Sequence, residues 1–243
     1  MAIDPTIDLN SDVGEGFGHW PGGPDTELMS MLTSVNVACG FHAGDPLTMQ
    51  RTVALAVEHG CAIGAQVGYP DLVGFGRRFI DMHPDELAAA VVYQIGALDG
   101  FARSAGAGVR YVKPHGALYN AIVHHQLQAD AVARAVASTS SALALLGLPG
   151  SAIERACAEH GLRFVREGFA DRAYTSEGTL VARTQPDALI TDPAAAATQA
   201  LSLAVAGVES ICVHSDTPGA TAILRAVRTA LVAGGLTPAS FLL

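Results

Sequence analysis

The stretch Ile7-Asp8-Leu9-Asn10-Ser11-Asp12 places Ile7 and Leu9 on one face of a strand and Asp8, Asn10 and Asp12 on the other. A strand covered on both sides bears three polar groups on one face only at a cost, unless they pair or bind something. The same kind of polar ending closes other apolar runs: ACGFHAGDP at 38–46, YVKPHG at 111–116 and CVHSDTPG at 212–219. Working outward, strand-like runs fall at 6–12, 34–40, 61–67, 109–115, 142–148, 163–168 and 210–216. Helix-like stretches fill the gaps at 25–33, 46–59, 84–105, 129–138, 151–160, 193–206 and 218–233. Pro46, Pro84, Pro193 and Pro218 mark helix starts, and Gly60, Gly161 and Gly207 follow helix ends. Strict alternation predicts a parallel sheet, because each crossover needs a helix.

Polar residues after at least five separate strands decide between the two parallel architectures. A barrel gathers them around one axis, whereas an open doubly wound sheet gathers only those beside its switch point. The expected fold is therefore a single (β/α) barrel of seven or eight strands spanning residues 1–243. The segment 169–190 reads as a long excursion with a short hairpin around 179–182.

Composition narrows the function. With 50% hydrophobic and 15% charged residues, the 243-residue chain can bury a large core. A net charge of −9 leaves no basic stripe for phosphates, so a nucleic-acid role is not expected. No apolar run is long enough to span a bilayer, the N-terminus lacks a signal pattern, and the four cysteines form no CxxC pair. A cytoplasmic setting is the expectation. Among the 14 basic residues Lys113 is the single lysine, which an Arg-rich codon preference explains except for its position.

Lys113 and His115 share the face that ends the fourth strand, with Pro114 between them. Burial there would lower the lysine toward a usable base or leave it as an anion clamp. His214 and Asp216 end the last strand, His42 and Asp45 the second, and Glu167 the sixth. Asp45 reads equally as the N-cap of the helix from Pro46, and Asp171 with Arg172 as a surface ion pair. Asp12, His42, Lys113, His115, His214 and Asp216 are the catalytic candidates; Asn10, Gln66, Arg77 and Glu167 are the substrate-binding candidates. Asp12, His42 and His214 are candidate ligands for a divalent metal ion, although no HExxH pattern is present. Neither GxxxxGK[ST] nor GxGxxG occurs, and the glycine-rich runs at 14–18 and 68–78 lack that spacing.

Seven blocks, DLNSDVGEGFG (8–18), NVACGFHAGDP (36–46), GYPDLVGFGRR (68–78), YQIGAL (93–98), VKPHGALYN (112–120), EGFADRAY (167–174) and CVHSDTP (212–218), resemble in order those of the 5-oxoprolinase A-subunit family, also called lactam-utilisation proteins. The resemblance implies a barrel related to the polysaccharide deacetylases. It also implies ATP-dependent opening of 5-oxo-L-proline to L-glutamate together with two partner subunits. Gln66 and Val67 stand where the family tends to have His and Pro, Ser215 stands for Gly, and the segment before Ser210 is short. Two alternatives stay open: a metal-dependent deacetylase or amidohydrolase acting alone, and a non-catalytic subunit of the same complex. The expected partners are a small lactam and two subunits, with further copies of this chain left open and neither nucleic acid nor membrane involved.

Overall fold

In the computed structural model, which describes residues 5–242, seven parallel strands close into a barrel. They are β1 (Thr6–Val13), β2 (Ser34–Ala38), β3 (Ala62–Val67), β4 (Val109–Pro114), β5 (Ala144–Gly147), β6 (Arg163–Phe169) and β7 (Ser210–Cys212). Each pairs with the next, and β1 pairs with both β2 and β7, which shuts the ring. A two-residue strand, β8 (Thr237–Pro238), adds to the start of β1 beside Thr6 and Ile7. Outside lie α1 (Asp25–Met29), α2 (Pro46–Glu58), α3 (Pro84–Ser104), α4 (Gly116–Ala121), α5 (Gln126–Thr139), α6 (Ala152–Glu159), α7 (Pro193–Val205) and α8 (Ala220–Ala233). Among the described residues no helix is long and apolar enough to cross a membrane.

Local chemistry accounts for most of these boundaries. Proline opens α2, α3 and α7, where its missing N–H is not needed. The side chains of Asp45, Ser151 and Asp192 cap α2, α6 and α7 by accepting backbone N–H bonds. Pro218 was expected to open the last helix, but α8 begins at Ala220 behind Gly219, whose φ of 79° turns the chain first. The short α4 and β8 have too few residues to leave a periodic pattern and were not anticipated. The excursion after β6 folds back through isolated bridges Tyr174–Leu180 and Arg172–Leu189, so residues 179–182 form the returning arm of a small hairpin.

Ile7, Leu9, Val35, Val37, Ile63 and Val112 face outward and are buried against the helices. The inward residues divide the lumen by height and by side. Toward its N-terminal end Tyr111, Ala144, Leu146 and Val165 pack together under Phe241 and Leu242. Gly64 makes room for Tyr111: a Cβ there would lie 2.2 Å from the ring, so alanine would push the tyrosine out of the lumen. Along β1, β2 and β7 the lumen is polar, with Asp8, Asn10, Asp12, Ser34, Asn36 and Ser210 all buried. That polar side leads up to the C-terminal mouth, where the loops gather.

Candidate active site

The floor of the mouth is an ion-pair network. Lys113 Nζ lies 2.9 Å from Glu167 and 3.2 Å from Asp12, and it donates to Asn10 Oδ1 at 3.2 Å. Asn10 Nδ2 donates to Glu167 (3.0 Å) and Ser210 (2.8 Å), and Asn36 donates to Asn10 (2.7 Å) and Asp12 (2.9 Å). Burial alone would push the lysine pKa down, but Asp12 and Glu167 outweigh it and hold Lys113 well above its ordinary value. The expected depressed lysine base is therefore corrected: Lys113 is a fixed cation. Burial likewise favours a neutral Asp12, and the charge of Lys113, helped by the hydrogen bond from Asn36, overrides it, holding Asp12 well below the usual carboxylate range. One layer down, Asp8 accepts from Thr33 (2.6 Å), Ser34 (2.7 Å) and Ser210; burial raises it to about 6 despite these bonds.

One wall carries an oriented imidazole. His214 Nδ1 lies 3.0 Å from Asp171, and Asp171 also accepts from the His214 amide at 3.1 Å and from the Thr217 hydroxyl. Burial opposes charge on Asp171, but His214 and Thr217 overcome it and keep the carboxyl low. Phe169 stacks on the His214 ring at 5.1 Å. With Nδ1 engaged, Nε2 is the ring atom left for the cavity.

The opposite wall holds a second imidazole group around Gln66. Its amide nitrogen donates to Glu15 (3.0 Å) and to His115 Nδ1 (2.9 Å), and its carbonyl oxygen lies 3.1 Å from His42 Nε2. His115 Nε2 donates to the Phe75 carbonyl at 2.9 Å; a carbonyl can only accept, so His115 Nδ1 carries the lone pair. The His42 and His115 rings stack at 3.9 Å. Burial lowers both pKa values, His115 to about 4 and His42 well below its usual range, and burial raises Glu15 well above its own.

Phe75 supplies that carbonyl from a left-handed conformation, φ 54°, uncommon for a bulky residue. Asp71 holds the loop by accepting from the Gly74 amide at 3.0 Å and from Arg78. Gly76 is needed beside it, since a Cβ would come within 2.7 Å of His42 and 2.8 Å of His115.

Between the walls lies a cavity of about 450 Å³ bounded by Asp12, Lys113, His115 and His214, with Arg77, Arg172 and Arg183 around it. Tyr119, Leu148, Phe169 and Leu180 give it an apolar side. Arg77 and Arg183 both donate to Asp216, the latter at 3.2 Å, and Arg77 lies over the Phe75 ring at 4.9 Å. Their charges keep Asp216 low although burial works against it.

Of the sequence candidates, Asp12, Lys113, His115, His214 and Arg77 line this cavity and Asp216 braces its arginines. Asn10, Glu167, Gln66 and His42 lie behind the lining and touch it through Lys113 and His115. Asp171 and Arg172 are not a surface ion pair: both are buried, Asp171 serves His214, and Arg172 donates to backbone carbonyls. Asp45 is a helix cap, as one of its two readings had it. Glu15, Tyr119 and Arg183 escaped the sequence reading, Glu15 because it stands among glycines that look like a turn. Gln66 meets Glu15, His42 and His115, whereas Asp12 is bonded to Asn36 and Lys113.

Glu15, His42 and His115 are also the group that could share a cation, each offering one ligand atom with all three within 4.8 Å of one another. Among the described residues the expected trio of Asp12, His42 and His214 forms no such group. Two imidazoles and a carboxylate suit a first-row divalent ion once Gln66 gives way, because Gln66 now donates to Glu15 and His115 Nδ1 and accepts from His42 Nε2.

The profile of the LamB/YcsF family matches residues 7–242. A protein of Streptomyces avermitilis named as the A subunit of 5-oxoprolinase is 53% identical over 248 residues, covering 97% of this chain and 99% of that one. The crystal structure of a lactam utilization protein from Thermus thermophilus superposes with a TM-score of 0.92 at 41% identity, covering 97% of this chain and all of that one. A family 4 carbohydrate esterase from Streptomyces lividans, at a TM-score of 0.52 and 13% identity over 98% of this chain and 93% of its own, shares the barrel alone.

Proposed function

The chain belongs to the LamB/YcsF family, and from that premise we propose that it is the subunit of a 5-oxoprolinase in which the lactam ring of 5-oxo-L-proline is opened to L-glutamate. The observation that carries the reading is the cavity itself: an Asp171-oriented His214 and a fixed Lys113–Asp12 pair border one space, with arginines around it.

A lactam is a poor electrophile, so opening it needs a positioned base, a stabilised oxyanion and a proton for the departing nitrogen. His214 Nε2 takes a proton from water, and Asp171 holds the ring in the tautomer that can do so and steadies the imidazolium. Lys113, clamped by two carboxylates, fixes the floor of the site, and the arginines around the cavity supply the positive charge for the developing oxyanion. Arg77 receives the substrate carboxylate. The imidazolium then returns its proton to the ring nitrogen as the C–N bond breaks.

ATP is hydrolysed by the complex, and its binding falls to two partner subunits, because this sequence has no Walker-type or GxGxxG phosphate loop. A divalent ion fits the donor set of Glu15, His42 and His115; when bound it supplies Lewis acidity beside the cavity. The chain works in the cytoplasm in this account.

The test is reconstitution. The chain with its two partner subunits, 5-oxoproline and ATP should release glutamate, and omission of this chain or of ATP should stop the release. Release by this chain alone without ATP would make it an independent amidohydrolase. Release by the partners without it would make it a non-catalytic subunit.

A further inference from the structure

The cavity carries more positive charge than a single carboxylate requires. Arg77 and Arg183 share one counter-ion, Asp216. Arg172 has none: it is 4% exposed, lines the cavity, and among the described residues lies within 4.0 Å of no carboxylate. Its Nε and Nη2 donate to the backbone carbonyls of Ala188 (3.3 Å) and Val181 (2.6 Å), which neutralise no charge. Burial, with the repulsion of Arg183, lowers its pKa to about 10. A buried guanidinium that touches no carboxylate, and feels Asp171 and Asp216 only at a distance, is unfavourable, and such a group beside a cavity is a candidate partner for a ligand's charge. The same Arg172–Val181 bond holds the returning arm that brings Arg183 to the cavity, so the two arginines are fixed relative to one another.

We propose that Arg172 and Arg183 form a second anion subsite of this cavity, which receives the carboxylate created when the lactam opens. The inference rests on the lactam-opening reading. In that reaction water adds its oxygen to the ring carbonyl carbon, the C–N bond breaks, the nitrogen takes a proton, and a monoanionic ring becomes a chain with a carboxylate at each end. A site with Arg77 for the first carboxylate and Arg172 with Arg183 for the second is complementary to an opened five-carbon dicarboxylate. It holds the second group away from the amine and so disfavours re-closure. A phosphoryl group presents the same oxyanion chemistry, and the test separates the two sources.

Calorimetric titration of the full chain with glutarate, butyrate and inorganic phosphate at one ionic strength decides the matter. Glutarate should bind at least about tenfold more tightly than butyrate, the gain expected from charge-assisted hydrogen bonds to a second carboxylate. In Arg183→Gln, whose side chain is more exposed than that of Arg172, the preference should shrink to within about threefold while butyrate binding stays. Arg172→Gln, checked for folding by circular dichroism, should do the same. Equal binding of glutarate and butyrate by the unmodified chain, or a preference that survives both substitutions, overturns the subsite. Sensitivity of phosphate binding alone overturns its assignment to a carboxylate. Discrimination that persists when the reconstituted complex forms no glutamate sinks the functional reading and leaves the subsite standing. Turnover without discrimination sinks only the subsite.

Discussion

Lys113 and Arg172 are both buried cations beside one cavity, and they are treated in opposite ways. Lys113 sits between Asp12 and Glu167, so its charge is answered inside the protein. Arg172 meets only carbonyl oxygens, so its charge is left for whatever enters. Compensation within the wall makes a rigid electrostatic fixture; absence of it makes a binding element. Burial of a charge therefore does not identify its role, and the identity of its partners does.

The largest effect that could break this comparison is on stability. Lys113→Met should cost about 3–5 kcal/mol, since it strands two buried carboxylates. Arg172→Met should cost no more than about 2 kcal/mol, because two hydrogen bonds are lost while an uncompensated charge is removed. Urea denaturation of both variants reads the difference, and equal losses would erase the distinction. Lys113→Arg keeps the charge and should remain folded. It should nonetheless lose turnover, because a planar guanidinium cannot take the ammonium's place between Asp12 and Glu167.

A second effect concerns orientation. Asp171→Asn removes the ionised partner of His214 and should lower glutamate formation about 10²- to 10⁴-fold while leaving the melting temperature within a few degrees. A loss below about threefold would mean that His214 is not held for proton transfer. Third in size, Gln66→His should tighten zinc binding about 10- to 100-fold in calorimetry, by adding an imidazole among Glu15, His42 and His115. Unchanged affinity would show that these side chains do not converge on an ion.

The smallest effect is a pH dependence. Asp8 has a folded pKa of about 6 against an ordinary 3.8, so the folded state binds the extra proton between those values. Its contribution to stability therefore grows as pH falls through about 6 and is lost as pH rises. His42 and His115, lowered by burial, pull the other way below pH 6.5, so the informative quantity is the difference from Asp8→Asn. That variant should gain on the unmodified protein by about 1–3 kcal/mol between pH 5 and 7.5. A constant difference would place Asp8 among ordinary carboxylates.

Much of the barrel was legible because parallel strands and their crossover helices leave long periodic signals, and because Asp8, Asn10 and Asp12 break the apolar rule of a covered strand. The floor and one residue of each wall were legible from strand ends alone, since Lys113, His115 and His214 follow apolar runs. The rest was not, for particular reasons. Glu15 reaches Gln66 from a glycine-rich loop with no period, and Arg183 reaches the cavity through an irregular excursion. Asp171 and Arg172, adjacent and opposite in sign, look like a solvated pair until the fold sends them to different partners. Of the two readings of Lys113, the depressed pKa fails because sequence shows burial more readily than it shows which carboxylates burial brings along.

The most direct test of the account is the initial rate of glutamate formation from 5-oxoproline and ATP by the partner subunits, supplied with either the unmodified chain or His214→Gln. The account predicts a rate at least about 100-fold lower for the variant, with unchanged circular dichroism and complex formation. A rate within about threefold of the unmodified complex would contradict the claim that this cavity is where the lactam opens.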